Sequence, residues 1–184
     1  MALLHTPAKE ENVSAPAFSL KNIDGKTFTL EDCMGENGLL VMFICNHCPY
    51  VKAITDRLAG TCKTLQSEGI GVVAIMSNDT LNYPEDSFEN MKKFAAQNSF
   101  TFPYLIDETQ SVAKAYGAVC TPDFFGFDSN GILQYRGRLD SAANRPAGPD
   151  TIPELLNAMR TIKDHGITTA AQNPSMGCSI KWKE

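Results

Sequence analysis

Residues 39–50 read Leu39-Leu40-Val41-Met42-Phe43-Ile44-Cys45-Asn46-His47-Cys48-Pro49-Tyr50, and their reading decides the fold. The unbroken apolar run 39–44 has no period-2 alternation, as expected for a strand buried on both faces. The residues that follow predict a helix over 49–67, because Val51, Ile54, Leu58, Cys62 and Leu65 recur at helical spacing and mark a buried stripe. Proline suits the first helical position, and the residue before it resists helical geometry, so Cys48 is the expected N-cap. A Cys-x-x-Cys pair therefore sits where a buried strand gives way to a helix.

Outward from this junction, apolar alternation on both sides of Asp24-Gly25 predicts a hairpin over 18–30, followed by a connector that holds Cys33, Gly35 and Gly38. Downstream, Ile70 to Met76 predicts a second buried strand, and 84–98 a helix with Phe88, Met91, Phe94 and Ala95 on one face. A short strand at Tyr104-Leu105-Ile106 and a helix over 109–116 precede Gly117. The stretches 124–127 and 132–135 flank Asp128-Ser129-Asn130-Gly131 as a late hairpin, and a last helix spans 152–163. Strands alternating with helices imply right-handed crossovers and a parallel sheet centre, with the hairpins adding antiparallel edges. The expected architecture is a single α/β unit over 1–184, with a mixed central sheet and helices on both faces. Met176, Ile180 and Trp182 predict that the tail, 167–184, packs against it.

Composition narrows the function. The 184 residues carry 16 Lys plus Arg against 21 Asp plus Glu, a net charge of −5, with no basic cluster of the kind that binds nucleic acid. No apolar run approaches the ~18 residues that span a bilayer. The opening Met1-Ala2-Leu3-Leu4-His5-Thr6-Pro7 lacks a basic segment followed by an apolar stretch, so a cytoplasmic location is expected. In that compartment the six cysteines are not a static disulfide framework, which leaves core packing, metal ligation or redox chemistry.

The position of the pair favours redox chemistry. Free amides and aligned peptide dipoles at a helix N-terminus stabilise negative charge, and the thiolate is the reactive form of cysteine. Two sulfurs at this spacing let one attack a foreign disulfide while the other resolves the mixed disulfide. Cys45, in the loop at the strand end, is the expected attacking thiol because exposure is expected there, with Cys48 resolving; the reverse order stays open. His47, between the sulfurs, would favour the thiolate when protonated. A metal module using Cys45, Cys48 and His47 is the alternative, although a tetrahedral site needs a fourth ligand.

With Cys45-Asn46-His47-Cys48, the preceding hairpin, and Ala118-Val119-Cys120-Thr121-Pro122 running into a Gly-containing hairpin, the chain resembles the thioredoxin-like superfamily, in its AhpC/TSA (peroxiredoxin-like, redoxin) branch. The resemblance implies a thioredoxin-like fold with an N-terminal β-hairpin extension. It also implies a cis Pro122 beside the Cys-x-x-Cys, with Thr121 offering backbone groups to an extended substrate. It puts Cys120 next to that loop, where a redox role becomes an expectation. Two family patterns are missing. Ile44 rather than Trp precedes the first cysteine, and the threonine that lies three positions before a peroxidatic cysteine is absent.

The sequence thus predicts a thiol–disulfide oxidoreductase that needs no cofactor and exchanges electrons with a protein dithiol or disulfide. A thiol peroxidase acting on peroxide is the enzymatic alternative. Cys62, on the helical stripe, and Cys33 read as packing residues. Cys178 reads as part of a packed tail within reach of the pair, with a resolving role as the alternative, and Arg136, Arg138 and Arg145 read as salt-bridged surface groups.

Overall fold

The computed structural model describes residues 2–184. Its strands are β1 (Leu3–His5), β2 (Ser19–Asn22), β3 (Thr27–Thr29), β4 (Leu39–Phe43), β5 (Gly71–Met76), β6 (Tyr104–Ile106), β7 (Cys120–Thr121), β8 (Asp123–Phe127), β9 (Leu133–Tyr135) and β10 (Met176–Ser179). The helices are α1 (Leu30–Cys33), α2 (Pro49–Lys52), α3 (Thr55–Ser67), α4 (Phe88–Gln97), α5 (Ser111–Tyr116) and α6 (Glu154–His165). Seven strands form a mixed sheet in the order β3-β2-β6-β5-β4-β8-β9, in which β6, β5 and β4 are parallel and the flanking pairings antiparallel.

The run that opened the sequence reading, β4, lies inside this sheet and is fully buried. Its period of two divides the core. Leu40 and Met42 join the cluster formed with α2, α3, α4 and α6, whereas Leu39, Val41 and Phe43 join the cluster with α1 and α5. Helices therefore cover both faces, and Tyr116 packs edge-on against Phe43, Phe125 and Phe127.

Two expected helices are interrupted. The 49–67 helix breaks between α2 and α3, where Ile54 N–H donates to the Val51 carbonyl (3.0 Å) and the Thr55 hydroxyl takes the Lys52 carbonyl (3.1 Å). A hydroxyl that bonds locally to backbone competes with the helical ladder. The stripe survives the break, since Val51, Ile54, Leu58, Cys62 and Leu65 are all buried. The 84–98 helix splits into a 3-10 turn, Pro84–Asp86, and α4, because Ser87 is extended (φ −56°, ψ 155°) and caps α4 by accepting from Asn90 N–H. This split sets the place of Asp86.

The tail forms structure of its own. β10 lies between β1 and β7 in a second, three-stranded antiparallel sheet, with Cys178 opposite Thr121 and Ser179 opposite Cys120. Ile180 is buried, whereas Trp182 is 40% exposed and so lies outside the packed part of the tail. Among the described residues, no helix is long and apolar enough to cross a membrane.

Candidate active site

The Cys-x-x-Cys segment links β4 to α2. Pro49 takes the first helical position and Cys48 the N-cap (φ −66°, ψ 121°). The peptide bond Thr121–Pro122 is cis and joins β7 to β8, bringing Thr121 against both sulfurs. Cys45 Sγ lies 3.3 Å from Thr121 Oγ1, and the Cys48 thiol donates to the Thr121 carbonyl at 3.1 Å. Thus Cys45, Cys48, Thr121 and Pro122, distant in sequence, meet at one place.

The loop between the cysteines is held by a carboxylate that the sequence reading did not single out. Asp86 is fully buried. Its Oδ1 accepts from the backbone N–H of Asn46 (2.8 Å) and of His47 (3.3 Å). Its Oδ2 accepts from Asn78 Nδ2 (2.8 Å) and meets His47 Nδ1 at 2.6 Å. An ionised carboxylate only accepts, so Nδ1 carries the proton of this contact. Asn46 is fixed further by the Tyr104 hydroxyl, which donates to its side-chain oxygen (2.9 Å). His47 stacks on Tyr83, its Nε2 is buried without a hydrogen-bond partner among the described residues, and its Nδ1 stands 4.0 Å from Cys45 Sγ. Asp86, rather than a cysteine, is thus the close partner of His47. One local signal was available, the Pro-Glu-Asp-Ser run that ends in the cap of α4.

The expectation that Cys45 is the more exposed thiol fails, because both Cys45 and Cys48 have 0% exposure. Donors separate them instead. As a thiol, Cys48 faces the Thr121 carbonyl and Cys178 Sγ, each at 3.1 Å; the neighbours that favour its thiolate are the Cys45 thiol first, then Cys178 through its thiol and backbone N–H, and the Val51 N–H in the first turn of α2. Together these outweigh burial, which opposes ionisation, and hold Cys48 well below the ordinary thiol range. Cys45 moves the other way, since its proton is committed to Cys48 and burial and the Asp86 charge oppose ionisation. Of the two thiols, Cys48 is the one whose surroundings favour the thiolate.

Cys178, expected in a packed tail within reach of the pair, meets it directly. Its Sγ lies 3.1 Å from Cys48 Sγ. Residues directly opposite in an antiparallel pair project to the same face, so the pairing of Cys178 with Thr121 points it at the site. Cys120 is one residue out of that phase. Its Sγ approaches the Pro122 carbonyl (3.8 Å), and burial, followed by the Asp123 charge, holds it as a thiol. The place expected for Cys120 beside the pair is taken by Cys178.

The other cysteines and the arginines have structural partners. Cys62 packs on Met42 Sδ in the core, and Cys33 is buried with its thiol pushed up to about 12, chiefly by desolvation. Arg136 is itself buried and forks onto buried Asp123 (2.9 and 3.3 Å), while Arg138 forks onto Glu154 (2.7 and 2.9 Å). Arg145 bonds to the Ala142 carbonyl. A three-donor group of Cys45 Sγ, His47 Nδ1 and Asp86 oxygen lies within 4.8 Å, leaving out Cys48 and falling one short of a closed tetrahedral set.

Strand order and helix placement are those of a thioredoxin-like protein, and the thioredoxin domain of a thiol-disulfide oxidoreductase from Bacteroides vulgatus superposes with a TM-score of 0.59 at 19% identity, covering 70% of this chain and 89% of that one. Residues 12–136 match the AhpC/TSA family, and the chain belongs to that family. An uncharacterized conserved protein from Geobacillus kaustophilus is 43% identical with a TM-score of 0.93, over 100% of this chain and 97% of that chain. A hypothetical protein from Sinorhizobium meliloti 1021 is 37% identical with a TM-score of 0.89, over 97% and 98%. Among curated proteins, the thiol-disulfide oxidoreductase ResA of Geobacillus thermodenitrificans is 29% identical over 121 residues, 66% of this chain and 65% of ResA. The match spans about two thirds of that relative's length.

Proposed function

We propose that the chain is a thiol–disulfide oxidoreductase that cycles Cys45 and Cys48 between dithiol and disulfide, without a cofactor, in exchange with a protein partner. The observation that carries this reading is the meeting of Cys45 and Cys48 at the cis Thr121–Pro122 bond, with Thr121 3.3 Å from one sulfur and 3.1 Å from the other. The similarity to a named thiol-disulfide oxidoreductase supports it. A cytoplasmic setting, expected from the N-terminal sequence, is part of the proposal and is tested by cell fractionation.

The donor arrangement favours Cys48 as the attacking sulfur, the reverse of the order expected from the sequence. The Cys48 thiolate attacks one sulfur of the partner's disulfide, and the partner's other sulfur leaves as thiolate. Cys45 then attacks the Cys48 sulfur of the mixed disulfide, and its proton goes to the departing partner. The partner leaves with two electrons, and the chain keeps a Cys45–Cys48 disulfide, which a dithiol donor reduces by the reverse sequence. Asp86 acts as a positioning residue that fixes the loop between the sulfurs, and Thr121 lies against both.

The test is turnover of a protein disulfide by the full-length chain with a dithiol reductant, measured beside turnover of hydrogen peroxide. The expected result is disulfide reduction that Cys48→Ser abolishes and that outpaces peroxide reduction. Faster peroxide turnover would assign the chain to the peroxidase alternative, in which a thiolate passes through sulfenic acid.

A further inference from the structure

We propose that Cys178 is a third redox thiol, which resolves mixed disulfides at Cys48 by closing a Cys48–Cys178 bond between the N-cap of α2 and strand β10. The inference rests on the reading of Cys48 as the attacking sulfur, and adds to it a resolving group supplied by the tail.

Three independent features place Cys178 for this. Its sulfur lies 3.1 Å from Cys48 Sγ, so about 1 Å of approach reaches the ~2.05 Å of a disulfide. Strand pairing fixes the direction of approach, because β10 is in register with β7 and Cys178 is opposite Thr121, whose carbonyl and hydroxyl touch Cys48 and Cys45. The residue beside it permits this closeness. A Cβ at Gly177 would stand 1.9 Å from the Thr121 carbonyl oxygen and 3.1 Å from Pro122 Cδ, so a side chain there would push the strand off the site.

The tail is also anchored on both sides of Cys178. Before it, Ser175 donates to the Pro122 carbonyl (2.8 Å), and its N–H donates to the Thr6 hydroxyl (3.0 Å). After it, Lys181 N–H donates to Asn78 (2.9 Å), and the Lys181 carbonyl accepts from Gln110 Nε2 (2.8 Å). With 3% exposure for Cys178 and none for Cys45 and Cys48, the three sulfurs form one buried group centred on Cys48.

The chemistry balances without a further oxidant. When Cys48 is joined to a partner sulfur, Cys178 attacks the Cys48 sulfur, the Cys48–partner bond breaks, and the Cys178 proton goes to the departing thiol. The two electrons are those already moved in the first exchange. The resulting Cys48–Cys178 disulfide passes to Cys45–Cys48 by attack of Cys45 on Cys48, or is reduced by the dithiol donor. Cys48 thus has two alternative partners.

The experiment uses the full-length chain with Cys45 removed. Cys45→Ser is oxidised with oxidised glutathione and digested without reduction, then the link between tryptic peptides 27–52 and 164–181 is sought and assigned by fragmentation. We expect a Cys48–Cys178 link, absent from Cys45→Ser/Cys48→Ser. Because an adjoining thiol acts at an effective concentration of about millimolar or more, the glutathione adduct on Cys48 is expected to be about tenfold or more scarcer in Cys45→Ser than in Cys45→Ser/Cys178→Ser. Cys178→Ala, paired with the same background, repeats the comparison, and thermal melting confirms that each variant folds. A stable adduct on Cys48 in Cys45→Ser with Cys178 free overturns the inference while leaving the oxidoreductase reading intact. Loss of protein-disulfide turnover in the wild-type chain would instead defeat that reading, whatever the tail does.

Discussion

The chemistry of this molecule turns on where one proton sits among three neighbouring thiols. At the N-cap of α2, Cys48 has neighbours that favour its thiolate, chiefly Cys45 and then Cys178 and Val51, whereas Cys45 has the buried negative charge of Asp86 as a neighbour. Because the native chain holds the Cys48 proton less tightly than an unfolded chain, whose thiols titrate near ~8.5, the thiolate persists as pH falls below that value and is lost only at the lower native one. The stability it contributes follows the same sign, present above the unfolded value and lost as pH falls through the native one. Titrating the reduced protein by ultraviolet thiolate absorbance is expected to give one early thiolate that Cys48→Ser removes. Cys45→Ala, which deletes the largest stabilising donor, is expected to move that titration upward by about one unit or more; an unchanged midpoint would mean that Cys45 does not stabilise the charge.

At the scale of elements, the junction of β4 with α2 was legible because burial on two faces leaves a run of apolar residues and because Pro49 marks a helix start. The short turn Pro84–Asp86 was not, because a helical stripe of Phe88, Met91, Phe94 and Ala95 reads through it, and only the cap at Ser87 divides the two. That division puts Asp86 under the loop that carries Asn46 and His47, where it satisfies four donors. Asp86→Ala leaves buried amide and imidazole donors unpaired, and is expected to lower stability by about 3 kcal/mol or more in denaturant unfolding. It is also expected to slow disulfide exchange. A loss below about 1 kcal/mol would show that water replaces the carboxylate.

For the whole molecule, the tail closes the site. β10 and the residues after it cover the sulfurs, and Gln110 ties them down, its Nε2 donating to the Ser77 and Lys181 carbonyls (2.6 and 2.8 Å) and its Oε1 accepting from Lys183 N–H (2.8 Å). Opening of this strand is one route by which a partner would reach the buried Cys48, and it is testable. Removing the anchor with Gln110→Ala costs about 1–3 kcal/mol of local closure, so alkylation of the reduced Cys45–Cys48 pair is expected to speed up by roughly ten- to a hundredfold. Equal rates in wild type and variant would place the entrance elsewhere, for example along the cleft of about 270 Å³ lined by Tyr50, Pro122 and Phe124.

The sequence by itself determined the alternation of buried strands and helices, the cysteine pair at the strand–helix junction and, through family resemblance, the Thr121–Pro122 loop beside it. These are local: periodicity, capping and spacing are properties of neighbours along the chain. Only the tertiary structure decided which neighbours surround each sulfur, that Asp86 underlies the loop, and that Cys178 rather than Cys120 meets the pair. Those outcomes depend on contacts between residues 40 apart, as for Asn46 and Asp86, or 130 apart, as for Cys48 and Cys178. Strand register settles the choice between the last two cysteines, since shifting the pairing by one residue sends a side chain to the opposite face.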